Sequence, residues 1–220
     1  MTAGQERAPV GLARWETVPA LVLASASPAR LRLLESAGLR PRVVVSGVDE
    51  DGVDAADVTA LVAALARRKA EAVVARLAGL TEPGATAPLV LGCDSLLDVD
   101  GAARGKPDGA AEAVARWREL RGRSAVLRTG HHLVDTGTSR HATGVAATVV
   151  RFGEPSDEEI DAYVASGEPL AVAGGFTIDG RGAPFVEGID GDPSNVVGLS
   201  LPLLRRLLAT LGHGLTELWS

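Results

Sequence analysis

Four short stretches of this sequence hold polar residues where an apolar framework has no need of them. In Ser25-Ala26-Ser27-Pro28-Ala29-Arg30, small hydroxyl residues sit between an apolar run and the start of a helix. Backbone N–H groups and two hydroxyls at such a turn suit an anion, with Arg30 adding charge. The plainer alternative is that Ser27 caps the helix and Arg30 is solvated. Asp94 follows directly on the apolar run Leu89–Cys93. An unpaired carboxylate there would be costly, so Asp94 needs a cation, a metal or several donors, unless it bonds nearby amides in a strand-end turn. Lys106 stands between Gly105 and Pro107. A constrained loop suits a lysine acting as a point charge on phosphate; otherwise it is a solvated loop residue. Lys69 follows Val62 and Leu65 by seven and four residues and precedes Val73 by four. Unlike Arg67 and Arg68 it lies on the apolar stripe of its helix, either snorkelling past the core or lining an internal cleft.

Alternating strands and helices must position these groups. Leu21–Ser25, bounded by Pro19 and Pro28, reads as a buried strand, and Pro28 opens a helix that Gly38 ends. Arg42–Ser46 is a second strand. Asp57–Leu77 is a long helix with the stripe Val58, Leu61, Val62, Leu65, Ala72 and Val73. The Gly/Pro/Thr-rich stretch 79–88 is a hinge or loop. Leu89–Cys93 and Leu96–Val99 read as apolar strand segments before an Asp100–Gly101 turn, and Asp108–Leu120 as a helix. Ala125–Asp135 and Ala142–Phe152 form a strand pair, Ser156 and Glu159 a capping box opening a helix to Ser166, and Pro202–Leu211 a final helix. Gly174–Gly191 is read only as Gly-rich. The class is α/β with a mixed sheet.

Composition narrows the function. The chain has 220 residues, 46% hydrophobic and 23% charged, enough for a core; at 3% aromatic, that core must rest on Ala, Val and Leu. Twenty-two basic against 28 acidic residues give −6, which argues against a polymeric nucleic acid partner while leaving room for a local anion pocket. One cysteine, Cys93, excludes an internal disulfide. The apolar run 20–24 is too short for a membrane span, and residues 1–19 hold no signal-like core, so a soluble, cytoplasmic protein with no membrane partner is expected. Residues 1–19 read as a flexible N-terminal extension, 20–212 as a single two-lobed catalytic domain, and 213–220 as a C-terminal tail.

Other motifs fail on their chemistry. Gly101–Pro107 imitates a phosphate-binding loop, but is one residue short and has Pro where Ser or Thr should hold magnesium. His131 and His132 are adjacent, so on a strand they face opposite sides and cannot share a metal. No Gly-x-Ser-x-Gly elbow is present. Leu96–Gly101 imitates the Asp-x-Asp-Gly nucleophile of haloacid-dehalogenase phosphohydrolases through Asp98 and Asp100, but an Asp-Gly hairpin turn explains it better.

Taken in order, LASASPAR (Leu23–Arg30), SGVDE (Ser46–Glu50), ARRKA (Ala66–Ala70), LGCDS (Leu91–Ser95) and GKP (Gly105–Pro107) resemble the Maf family of nucleoside triphosphate pyrophosphatases, also called septum-formation-inhibitor-like proteins. LRGR (Leu120–Arg123), YVASGEPL (Tyr163–Leu170), AGGF (Ala173–Phe176) and FVEGIDGDPSNVVGLSL (Phe185–Leu201) continue the match. The resemblance implies a mixed twisted sheet with flanking helices and two lobes around a central nucleotide cleft. It places the proton acceptor on Asp94, phosphate contacts on Ser25, Ser27, Arg30, Lys69 and Lys106, and a further acidic position on Glu50. Asp94, Lys106 and Glu50 are then the catalytic set. Asp94 and Glu50 would hold a divalent cation, Mg or Mn, that bridges the phosphates. The implied reaction is attack of water on the α-phosphorus, releasing a nucleoside monophosphate and pyrophosphate. Non-standard nucleotides, a link to cell-division arrest and a homodimer belong to the same implication.

The sequence departs from the family's pyrimidine-preferring branch at Ala29, Ser95 and Asp179, where that branch carries Arg, Thr and Gln. Arg to Ala removes a fork of donors, and Gln to Asp removes an amide that both gives and accepts hydrogen bonds, so that branch's base preference does not transfer. A nucleotide-binding regulator without turnover is the non-enzymatic alternative.

Overall fold

The protein is described by a computed structural model covering residues 21–78 and 87–219. The expected N-terminal extension, and all but the last two residues of the expected hinge, lie outside the described residues. The chain runs β1 (Leu21–Leu23), α1 (Pro28–Ser36), β2 (Arg42–Val43), α2 (Val58–Leu77), β3 (Leu89–Val99), β4 (Ala102–Arg104) and α3 (Ala110–Leu120). It continues through β5 (Ser124–Asp135), β6 (Arg140–Phe152), α4 (Asp157–Ala165), β7 (Val186–Asp190), α5 (Pro193–Val197) and α6 (Leu201–Leu211). Among the described residues, seven strands make one sheet in the order β2-β1-β3-β5-β6-β7, with β4 also on β3. β1 pairs parallel with β2 and β3, and the remaining pairs are antiparallel, so the sheet is mixed as expected.

Three hydrophobic clusters pack on this sheet. The first joins α1 and α6 to the ends of β3 and β5 through Leu34, Leu91, Leu133, Leu204 and Leu208. The second joins α3 and α4 to the far half of the sheet through Leu97, Trp117, Phe152, Tyr163 and Phe176. The third seats α2 on β1 and β3 through Val22, Ala70, Val73 and Val90. The first two are the lobes, and β3, β5 and β6 run through both. None of the described helices is long and apolar enough to cross a membrane.

The point where the lobes meet is written into the edge of β3. Leu89–Leu91 pair with β1, and Leu97–Val99 pair with β4. Between them, residues 92–96 have no strand partner on that side among the described residues, while β5 covers the other side from Leu89 to Asp98 without a break. The two apolar segments expected on either side of Asp94 are therefore one eleven-residue strand. The long uninterrupted partner β5 keeps the middle extended, and the open edge becomes the floor of a cleft.

Other expectations shift for similar reasons. β2 is two residues long, not five, because β1 ends at Leu23; only Val44 N–H adds one more bond, to Leu23 O. The chain beyond, through Glu50, lines the cleft instead. The Gly-rich stretch holds β7, and α5 follows it; β7 carries Gly188 in its centre, a residue that weakens any strand signal in sequence. Residues 213–219 of the C-terminal tail contact the fold. Leu215 and Leu218 pack on the first core and Trp219 bridges Leu39.

Candidate active site

A cleft of about 660 Å³ opens at the gap in β3. Its lining includes Ser25, Ser27, Ala29, Arg30, Glu50, Lys69, Asp94, Ser95, Lys106 and Asp179, so every residue singled out from the sequence meets in one hollow.

Asp94 is mid-strand and buried, not in a strand-end turn. Lys69 Nζ donates to its Oδ1 at 2.5 Å and pairs with Glu50 Oε1 at 2.8 Å. Lys69 therefore does not snorkel: it is 8% exposed and bridges two carboxylates. Burial pushes the Asp94 carboxyl above the usual carboxylate range, against the pull of the Lys69 and Arg30 charges.

What brings Lys69 onto Asp94 is a pair of glycines that sequence reading passed over. Gly92 lies two residues before Asp94 on the same face of β3, and Gly130 is the cross-strand partner of Asp94 on β5. A Cβ at Gly92 would lie 2.2 Å from Ala66 O, and one at Gly130 2.1 Å from Val62 O. Only the bare backbone lets α2 press this closely on the sheet, and this seat puts the Lys69 side chain within reach of the strand floor. The available sign in the sequence was a glycine inside each of two strongly apolar strand patterns, LVLGCDS and VLRTGHHLV.

The turn into α1 forms the opposite wall. Ser27 is the N-cap, its Oγ accepting from Arg30 N at 3.4 Å, and Pro28 opens the helix. Arg30 is not solvated. It is buried, and its guanidinium donates to Gly198 O (2.7 Å), Ser25 Oγ (3.0 Å), Cys93 O (3.0 Å) and Ser95 Oγ (2.9 Å). Four of its five N–H groups are thereby used inside the protein. Arg30 ties α1, the open edge of β3 and the end of α5 together, and one Nη2 N–H remains for a ligand. Ser95 Oγ also contacts Thr129 Oγ1 at 2.9 Å on the face opposite Asp94.

Lys106 differs from Lys69 in every respect that bears on ligand binding. It is exposed, and among the described residues it has no ion-pair partner. Its loop is anchored by Gly174 N–H donating to Gly105 O and by Gly175 packed on Pro107. An unpaired ammonium on a held loop is available to an incoming anion without breaking an existing bond.

Asp98, Asp100, His131 and His132 do not line the cleft. Asp98 pairs with Arg128 at 2.8 Å and accepts from Gly101 N; Asp100 pairs with Arg123 at 2.5 Å. Asp100 and Gly101 both have positive φ, so this is a hairpin turn and neither carboxylate is an exposed nucleophile in the cleft. His131 and His132 take separate partners: Ser200 N–H donates to Nε2 of His131, while Nδ1 of His132 meets Thr143 Oγ1. Burial pushes the Cys93 thiol up to about 12, which leaves it unreactive in the core.

No cluster of three or more His, Cys, Asp or Glu suited to a metal occurs among the described residues. Asp94 and Glu50 nevertheless converge on a single cation, the Lys69 ammonium. Two hard carboxylates that need further oxygens from a ligand are the donor set typical of Mg²⁺ on a phosphate substrate, so the residues fit such an ion.

The sequence model of the family described as Maf-like protein matches residues 20–211. A Streptomyces coelicolor protein named nucleoside triphosphate pyrophosphatase is 62% identical over 200 residues, spanning 91% of this chain and 94% of its own. A protein of the same name from Streptomyces avermitilis is 60% identical over 200 residues, again with 91% and 94% covered. One from a Synechococcus species is 52% identical over 203 residues, with 92% and 100% covered.

Proposed function

The chain belongs to the Maf family, and from that premise we propose that it is a nucleoside triphosphate pyrophosphatase, a hydrolase that splits the bond between the α- and β-phosphates. The observation that carries this reading is the Lys69 bridge between Asp94 and Glu50 on the cleft floor, facing the Ser25–Ser27 turn and the free Lys106. A triphosphate brings about four negative charges, and an acidic protein can hold them only with fixed cations at the point of contact.

The triphosphate lies between the two lysines and the helix turn. Ser27, the N-terminus of α1 and the remaining Arg30 N–H contact phosphate oxygens, while Lys106 meets the β,γ end. Asp94 acts as the base. Water oxygen bonds to the α-phosphorus, its proton passes to the Asp94 carboxylate, and the α-phosphorus–bridging oxygen bond breaks. The electron pair leaves on pyrophosphate, whose charge Lys69 and Lys106 stabilise. A carboxylate raised by burial is a stronger base than a solvated one, and general-base help is typically 10²–10⁴-fold, or ~3–5 kcal/mol of barrier. Electrostatic stabilisation of the leaving group supplies the rest. Asp94 and Glu50 would hold a divalent cation, Mg or Mn, which when bound neutralises phosphate charge and polarises the reacting phosphoryl group.

At the base end, Ala29, Ser95 and Asp179 line the cleft. Asp179 is an acceptor only, so it favours a base that presents N–H donors, and selection of standard or modified bases rests on this segment.

The test is product-resolved hydrolysis with magnesium or manganese across standard and modified nucleoside triphosphates. Pyrophosphate and the monophosphate are the expected products, and Asp94→Asn lowers turnover at least about a hundredfold with the fold intact. Release of inorganic phosphate alone, or near-normal turnover in Asp94→Asn, overturns the mechanism. Binding across the panel without product favours the regulator.

A further inference from the structure

Part of the cleft wall is apolar: Val172, Phe176, Ile178 and Val196 line it, a surface suited to the face of a base. Much of this wall comes from the irregular segment 171–182, where among the described residues only two short 3₁₀ turns provide regular structure. Something other than a helix or sheet ladder must fix it.

Glu168 does so. It is half-buried and is not among the cleft-lining residues. Thr177 Oγ1 donates to its Oε1 at 2.6 Å, Gly182 N–H at 3.1 Å and Tyr163 O–H at 3.1 Å, while Arg181 N–H donates to Oε2 at 3.1 Å. Three donors flanking the exposed Asp179, and a fourth from α4, thus converge on one carboxylate. The fit leaves no slack. A Cβ at Gly180 would lie 2.7 Å from Glu168 Oε2, and one at Gly182 2.6 Å from the Tyr163 hydroxyl. Tyr163 is itself buried in the aromatic core, with its ring edge-on to Trp117 at 5.4 Å, so the anchor is tied to the rigid part of the lobe. Burial pushes the Glu168 carboxyl up, but its bonds from Thr177, Arg181, Gly182 and Tyr163 outweigh this and hold it below the usual range, as a carboxylate.

We propose that Glu168 is a positioning residue for nucleotide selection: by gathering Thr177, Arg181, Gly182 and Tyr163 it sets the seat of Ile178 and Asp179 and so decides which base the cleft accepts. This rests on the reading of the cleft as a nucleoside triphosphate site. Charge is essential to the anchor, because a carboxylate accepts at both oxygens. A glutamine in the same place would set an NH₂ group against at least one of the four donors.

The experiment measures dissociation constants of non-hydrolysable α,β-methylene triphosphates of adenine, guanine, cytosine and uracil for the wild type, Glu168→Gln and Thr177→Val. Turnover at saturating substrate and melting temperature are followed alongside. In Glu168→Gln the preferred analogue weakens about tenfold and the spread among bases shrinks, whereas saturating turnover changes less than about threefold. Thr177→Val, which removes one donor and keeps the carboxylate, narrows the spread by a smaller factor and reads the same effect if Glu168→Gln does not fold. A wild-type spread preserved in either folded variant, or turnover lost with the affinities intact, overturns the proposal, as does a wild type that binds all four analogues alike. Because binding is read without chemistry, a wild type that selects among analogues yet releases no pyrophosphate removes the hydrolase reading and leaves this one standing.

Discussion

The two lobes are built from different materials. The lobe carrying the phosphate-facing turn has a core of leucines with smaller aliphatic residues, and its precision comes from polar ties: Arg30 across three elements, and His131 between β5 and the start of α6. The lobe carrying the base-facing wall holds the protein's single tyrosine and all three of its phenylalanines: Phe152, Tyr163 and Phe185 pack edge-on to Trp117, and Phe176 packs edge-on to Phe152. Aliphatic cores tolerate repacking and need hydrogen bonds to define a site; aromatic clusters are stiff and can carry an irregular wall directly. Trp117 shows the second strategy in one residue. Its ring fills the core and its Nε1–H donates to Gly175 O at 2.8 Å, beside the loop that presents Lys106.

Three measurements would break or sharpen this contrast. The largest effect is expected in the aromatic lobe. Trp117→Ala should cost about 3–5 kcal/mol in denaturant unfolding, from cavity and transfer terms together. A loss below about 1 kcal/mol would mean that the wall does not depend on the cluster.

The polar ties of the aliphatic lobe should appear as pH dependence. Burial holds the His131 imidazole down at about 4, with Nδ1–H on Thr129 O and Nε2 accepting from Ser200 N–H. The unfolded chain takes up this proton near 6.5 and the folded protein does not. Stability from this group is therefore complete above pH 6.5 and declines as pH falls toward 4, by about 3 kcal/mol at pH 4. His131→Gln should flatten the unfolding free energy against pH over that window by close to one proton. An unchanged slope would show that His131 is not the group responsible. The smallest effect belongs to the leucine core: Leu204→Met conserves volume and should cost less than about 1.5 kcal/mol by thermal unfolding. A larger loss would make that lobe as exacting as its neighbour.

Much of this was readable from the residues alone because the signals are local. Caps at Ser27 and Ser156 mark helix starts through a hydroxyl placed before an apolar stripe. Asp94 after an apolar run and Lys69 on an apolar stripe announced themselves because each needs a partner that its neighbours in sequence do not provide. Glu50 had no such signal; it stands in an exposed acidic loop and entered only through resemblance. Glu168 had none either, since its four partners come from one residue before it and three well after it, and a glutamate near a helix end looks ordinary.

Sequence by itself therefore determined the five longer helices, the β5–β6 pair, the α/β class and the residue types of the site. Only the tertiary structure decided that Asp94 lies within a continuous strand, that Lys69 bridges it to Glu50, and that Arg30 spends its donors on the protein. The physical reason is the distance over which each constraint acts. A cap or an apolar period is satisfied within a turn or two of chain, whereas the site depends on a helix pressed onto Gly92 and Gly130 and on a gap between two partners of β3. Such contacts join residues tens of positions apart, and no local pattern of side chains encodes them.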